Sequence, residues 1–324
     1  MVQECVLSLD DEVSAEPAVQ PAEPGIPRAE EVPTPLPVHV DAKESPALAT
    51  LLSFFGLREQ PFGVTPDPAY LYLGRAHREA LSELSRSVEY DRGFMALIAK
   101  PGMGKTTLLN KLLEQLRDTA RTVFLFQTQC DAREFFQYFL AELGVDCDGM
   151  NLVAMHKKLN EILFQEMLEG RRFVLVVDEA QNLQETVLET IRLLSDFETH
   201  HVKLLEIILV GQPQLAATLA RPSLSQLRQR LTTLVSLDPL SAEETGRYIE
   251  HRLRVAAYTG APLFSPEAVA RIAERSKGIP RMINNLCFNA LMFSYSQGRK
   301  NIDSSVADQV TARLDLESFS RRVK

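Results

Sequence analysis

Five short apolar runs punctuate the middle of this chain, at residues 94–99, 122–126, 173–177, 204–210 and 231–237. Most are continuous rather than alternating, which is the pattern of strands covered on both faces. Between them apolar residues recur at helical spacing over 106–118, 131–143, 151–169 and 184–197, as in Leu108, Leu109, Leu112, Leu113 and Leu116. This alternation predicts an α/β layered fold: a parallel five-stranded sheet with flanking helices and right-handed crossovers. In such sheets ligands collect at the carboxyl ends of the strands. A further helix is expected over 76–90, with Ala80, Leu81, Leu84 and Val88 on one face. Upstream, the stretches beginning at Leu51 and Pro61 read as a turn-rich lead-in whose prolines exclude regular helix. Beyond Leu237 the pattern turns helical throughout. Ser241-Ala-Glu-Glu244 is a capping box opening a helix through Ala257. Ser265-Pro266 opens another with proline at the favoured first position, and helices near 280–297 and 303–316 complete an all-helical lid domain.

Two polar interruptions of this pattern carry chemistry. The run at 94–99 ends in Ala99-Lys-Pro-Gly-Met-Gly-Lys-Thr-Thr107, and a helix follows at once. Small residues let such a loop fold around phosphates, with successive N–H groups at a helix N-terminus pointing at the anion. Residues Ala99, Lys100, Pro101, Gly102, Met103, Gly104, Lys105, Thr106 and Thr107 therefore form a candidate nucleotide-binding loop. Lys105 is placed to reach the β- and γ-phosphates of a nucleoside triphosphate, and the Thr106 hydroxyl to ligate Mg²⁺. Some 70 positions on, the run Phe173-Val-Leu-Val-Val ends in Asp178-Glu179. Asp178 is expected to hold Mg²⁺, and Glu179 to orient or deprotonate an attacking water. Ala99 stands where the strict pattern has glycine, so the loop should enter its turn with an ordinary negative φ.

Composition qualifies the picture mainly at the ends. The chain has 324 residues and a formal net charge of −8. Residues 1–48 hold ten acids against Arg28 and Lys43, together with eight of the 18 prolines, so they account for the whole charge and the remainder is neutral. Acidic, proline-rich and poor in aromatics, that segment is expected to be a disordered tail. It lacks the basic start and apolar segment of a signal peptide. Residues 317–324 form a short basic tail. No run approaches the ~20 apolar residues that span a bilayer, so direct membrane insertion is not expected and a cytoplasmic location is. Cys5, Cys130, Cys147 and Cys287 have no metal-binding spacing and are expected to be reduced thiols; His200-His201 is expected to be a solvated loop.

The motifs together resemble the AAA+ ATPases of the P-loop NTPase group, which place a glutamate directly after the Walker B aspartate. More closely, the chain is similar to the cytoplasmic ATPase region of general secretion pathway A proteins. That likeness rests on Phe54-Phe-Gly-Leu-Arg-Glu-Gln-Pro-Phe, Tyr70-Leu-Tyr-Leu, His77-Arg-Glu-Ala-Leu, Asp178-Glu-Ala-Gln-Asn-Leu, Val210-Gly-Gln-Pro-Gln-Leu and Gly278-Ile-Pro-Arg-Met-Ile-Asn. It runs over about residues 51–316, dividing the chain into a nucleotide-binding domain at 49–237 and a lid at 238–316. The resemblance implies three further roles. Gln212 matches sensor 1, which hydrogen-bonds the γ-phosphate or the lytic water. Arg281 matches sensor 2 on the lid. Arg228 and Arg230 are candidates for an arginine finger given to a neighbouring subunit, the alternative being ordinary solvated charges. Residues 65–72 would line the adenine pocket, or else only pack. Proteins of this type continue into a membrane span and a peptidoglycan-binding region. This chain is expected to be a stand-alone relative, a homo-oligomer working through a separate membrane or envelope-assembly protein. A DNA-associated transposition helper or regulator is the alternative, and a neutral body offers little to nucleic acid.

Overall fold

The computed structural model describes residues 45–314, apart from 64, 66, 127, 128 and 201. Residues 1–44 of the acidic tail, His201 of the histidine pair and the basic tail at 317–324 lie outside the described residues. In chain order the elements are α1 (Pro46–Phe55), α2 (Arg75–Glu89), β1 (Phe94–Ile98), α3 (Lys105–Leu116), β2 (Ala120–Leu125), α4 (Ala132–Glu142) and α5 (Leu152–Leu168). There follow β3 (Arg172–Val177), α6 (Glu185–Leu194), β4 (Glu206–Gly211), α7 (Pro213–Leu219), α8 (Ser225–Arg230) and β5 (Thr233–Ser236). The lid comprises α9 (Ala242–Val255), α10 (Pro266–Ser276), α11 (Pro280–Ser296) and α12 (Ser304–Leu314).

The five strands form one parallel sheet in the order β2-β3-β4-β1-β5. Successive side chains of a strand point to opposite faces, and both faces here are covered. Phe94, Ala96, Phe173, Leu175, Ile207 and Leu209 enter one core with α4 to α8. Met95, Leu97, Val174, Val176, Ile208 and Val210 enter another with α2 and α3. This is why the strands read as unbroken apolar runs. The lid has a third core, built by α9 to α12.

Helix α1 corrects an expectation. Its residues 51–55 fall where the lead-in was expected to exclude regular helix. The breaking prolines lie further on, whereas Pro46 occupies the first turn, where its missing N–H costs nothing. The Ser45 hydroxyl caps the Leu48 N–H, and Leu51, Leu52 and Phe55 bury their side chains in the lid core. The lead-in, including Phe62 and Tyr70, thus packs with the lid helices rather than with the sheet.

Candidate functional site

Because β1, β3 and β4 are parallel neighbours, their carboxyl ends open on the same rim of the sheet. Ile98 is level with Gly211, and Val177 with Leu209. The loop after β1, the acidic pair after β3 and Gln212 after β4 are thereby brought together. A cleft of about 290 Å³ lies over this rim. Its walls are the loop from Pro101 to Thr107, Glu179 and Gln212, the lead-in residues Gly63, Thr65, Asp67, Tyr70, Leu71 and Tyr72, and Tyr248, Arg252, Arg281 and Asn284 of the lid.

The loop is shaped as an anion cradle requires. Gly102 and Gly104 have φ of +78° and +88°, values that an L side chain resists. Ala99 is not among the non-glycine residues at positive φ, as expected of its alanine. Gly104 caps α3 with no side-chain hydrogen bond, so the first N–H groups of that helix face the cleft without a side chain capping them. Lys105 is buried, and its Nζ stands 3.9 Å from Glu179 Oε1.

At the end of β3, Asp178 is buried and accepts a hydrogen bond from the Glu179 N–H at 2.8 Å, with the Thr106 hydroxyl near enough to favour its charged form. Burial pushes its carboxyl up, with the Glu179 charge adding to the rise, against that bond, Lys105 and the Thr106 hydroxyl. Two oxygen donors, Thr106 and Asp178, sit side by side, a donor set that suits a hard divalent cation keeping most of its own waters.

Glu179 is held in the left-handed region at φ 49°, ψ 34°, a conformation that costs a non-glycine residue about 1 kcal/mol or more. Its Oε2 accepts from Gln181 Nε2 at 2.5 Å and from Gln212 Nε2 at 3.1 Å. Gln181 Oε1 in turn accepts from the Gln212 N–H at 3.0 Å. Burial raises the Glu179 carboxyl, but these two donors, with the charges of Lys105 and Arg281, outweigh it and hold the group below its ordinary range.

The lid closes directly on the loop. The Arg281 N–H donates to Gly102 O at 3.1 Å, and a Cβ on Gly102 would lie 2.7 Å from that of Arg281. On the far wall the Arg252 guanidinium lies 4.6 Å over the Tyr70 ring and bonds the Pro61 carbonyl. Tyr248 donates to Asn284, which donates to Gly63 O. Lead-in and lid are joined there by buried polar groups.

The sequence-predicted residues thus divide. Lys105, Thr106, Thr107, Glu179, Gln212 and Arg281 line the cleft, with Asp178 beside Thr106. Arg228 and Arg230 do not: Arg228 bonds Ala220 O, and Arg230 pairs with Asp196. Gln181, His77, Tyr248 and Arg252 are cleft or network residues that the sequence reading did not single out. Gln181 and His77 stood within stretches that carried the family likeness, but with no role attached to them.

A parallel sheet with β4 inserted between β1 and β3, an acidic pair closing β3 and a helical lid folded onto the loop give the chain the fold of the AAA+ P-loop proteins. A family described as AAA domain matches residues 88–219. General secretion pathway protein A of Aeromonas hydrophila is 37% identical over 250 residues, 77% of this chain and 46% of that protein. The chain therefore spans about half the length of that curated relative. Among solved structures, the ORC2 protein of Aeropyrum pernix in ADPNP-ADP complexes aligns with TM-score 0.60 at 14% identity, over 79% of this chain and 72% of that one. Drosophila ORC bound to DNA aligns with TM-score 0.60 at 18% identity, over 90% and 70% respectively. At such identities the structures speak for the fold. Among the described residues no helix is long and apolar enough to cross a membrane.

Proposed function

We propose that the chain binds and hydrolyses ATP in this cleft, as a cytoplasmic motor or switch for a secretion or cell-envelope assembly system. The observation that carries the reading is Glu179, poised beside the buried Lys105 and fixed by two carboxamides. A carboxylate kept below its ordinary range is ionised at neutral pH and able to accept a proton from water. Gln181 and Gln212 occupy one of its oxygens and leave Oε1 on the Lys105 side. Thr106 and Asp178 would hold Mg²⁺, which when bound neutralises charge on the β- and γ-phosphate oxygens. Lys105 and the N–H groups opening α3 receive the phosphates; Arg281 joins their charge to the lid, so that hydrolysis is felt as lid movement. Residues 49–237 serve as the nucleotide-binding domain and 238–316 as its lid. The likeness to general secretion pathway protein A favours a secretion or envelope partner over the DNA-associated alternative, for which the neutral body gives no support.

Mg·ATP at a hundredfold excess over its dissociation constant should stabilise the wild-type chain by about 2.7 kcal/mol in thermal unfolding. Glu179→Gln should keep that shift while losing about 10²–10⁴ in turnover, and Lys105→Ala should lose the shift. An undiminished shift in Lys105→Ala, or near-normal turnover in Glu179→Gln, would contradict the assignment.

A further inference from the structure

The geometry points to His77 as a positioning residue that sets the phosphate loop for anion binding, an inference that rests on reading the cleft as a triphosphate site. His77 lies in the first turns of α2, only 3% exposed, and lines the cleft. Its Nε2 is 2.8 Å from the Met103 carbonyl oxygen. A carbonyl only accepts, so the imidazole must carry its proton on Nε2 and donate it there. Burial pushes the His77 pKa down and so favours the neutral ring, an effect that the bond and the Glu244 charge counter only in part. Nδ1 is then a bare acceptor, and it is buried with no hydrogen-bond partner. A buried imidazole that leaves one nitrogen unsatisfied needs a compensating reason to be there.

The loop supplies that reason. No described peptide bond is cis, and in a planar trans peptide the C=O and N–H point in opposite directions. Holding the Met103 carbonyl against α2 therefore turns the Gly104 N–H the other way, away from α2. The neighbouring Gly102 carbonyl is likewise held from outside, by the Arg281 N–H at 3.1 Å. Two successive carbonyls, each of which would repel a phosphate if it turned inward, are thus drawn out of the cradle. The glycines that let the loop bend also let its peptides flip, because neither has a Cβ to oppose rotation. Met103 supplies no side-chain anchor in the cleft wall, being fully buried in the core beneath. The imidazole is the lock on the 103–104 peptide. Its own position is set from the lid: Glu244 of α9 accepts from the Arg75 N–H at 2.7 Å, at the start of α2. Lid and loop are consequently linked by two routes, one through Arg281 and one through Glu244, α2 and His77.

The test is Mg·ATP and Mg·ADP affinity by calorimetry on the full chain, for wild type, His77→Leu and His77→Gln, with apo melting curves and steady-state turnover. Losing an oriented N–H to an anion should weaken both nucleotides about 10–100-fold in His77→Leu. The Gly104 N–H serves ground and transition states alike, so KM should rise while kcat holds within about threefold. His77→Gln, which can still donate to the Met103 carbonyl, should recover most of the affinity. Equal affinity in His77→Leu and wild type would overturn the proposal and leave the triphosphate site standing. So would a His77→Gln variant as weak as His77→Leu with both melting well below wild type, since that marks a merely structural ring. Absence of Mg·ATP binding by wild type would remove the site itself, and the proposal with it.

Discussion

Glu179 and Glu206 show how a residue's surroundings, rather than its type, decide its chemistry. Glu179 ends one strand with donors on its carboxylate and a lysine beside it. Glu206 begins the adjacent strand, 2% exposed, with Oε2 accepting from the Gly93 N–H at 2.7 Å and Oε1 without a partner. Burial raises the Glu206 carboxyl from 4.5 to about 7 against that single hydrogen bond. The sign follows from linkage: a folded-state pKa above the unfolded one stabilises below the unfolded value and loses that contribution as pH rises through the folded value. Glu206→Gln keeps the shape and the acceptor for Gly93 but cannot ionise. Its stability relative to wild type should therefore grow between pH 4.5 and 8, by about 3 kcal/mol at 1.36 kcal/mol per pKa unit. Urea denaturation of both proteins at pH 5 and pH 8 measures this, and a pH-independent difference would refute it. In the sequence, Glu206 is legible only as a charge interrupting the run at 204–210. Its burial, like the role of Gln181, depends on which strands become neighbours, and that is not written in local pattern.

Elements were easier to read than their company. All five strands and the helices with strong periodicity stand where the apolar pattern put them, within a few residues, because two covered sheet faces demand continuous apolar strands. The short helices α7 and α8 escaped, being seven and six residues long, too short for a period to show. Helix α1 was missed because prolines at 61 and beyond outweighed the Ser45-Pro46 start signal that lay just upstream. The most constrained joint between elements is the turn into α11, where Gly278 has φ +69° and a Cβ on it would lie 2.0 Å from the Leu240 carbonyl oxygen. Leu240 N–H donates to Gly278 O at 3.0 Å, fastening the link after β5 to the residue pair before Pro280 and Arg281. Gly278→Ala combines a strained left-handed alanine with a backbone clash, and should cost about 2–5 kcal/mol. Because the clash lies at the base of the lid, nucleotide affinity should fall with stability. A variant that melts like wild type in urea would show that this joint has slack the geometry does not reveal.

At the scale of the whole molecule, the parallel sheet gathers loop, acidic pair and Gln212 at one rim and leaves Arg228 and Arg230 at the other. Arg230 ends α8, immediately before β5, whose first residue Thr233 is level with Met95 near the start of β1. The phosphate loop follows the far end of β1, so the four residues from Met95 to Ile98, at ~3.3 Å each, put about 13 Å between the two levels. Neither arginine can serve the cleft of its own chain without crossing that distance. If either contributes to hydrolysis, it must do so in a second copy, through a head-to-tail contact in which one rim meets the other. The Arg230–Asp196 pair would be no obstacle, since both side chains are more than a third exposed and such pairs are worth about 1 kcal/mol or less. Specific turnover should accordingly rise with protein concentration, and the Arg228→Ala, Arg230→Ala double variant should lose about 10³ in rate or more. A mixing experiment separates action between copies from loss of fold. Glu179→Gln keeps its arginines but has a dead cleft, whereas the double arginine variant keeps its cleft but has nothing to lend. Mixed at equal concentration, the two should recover turnover that neither shows alone. Turnover independent of concentration, with a double variant as active as wild type, would instead make each chain a self-contained ATPase whose lid is its only moving output.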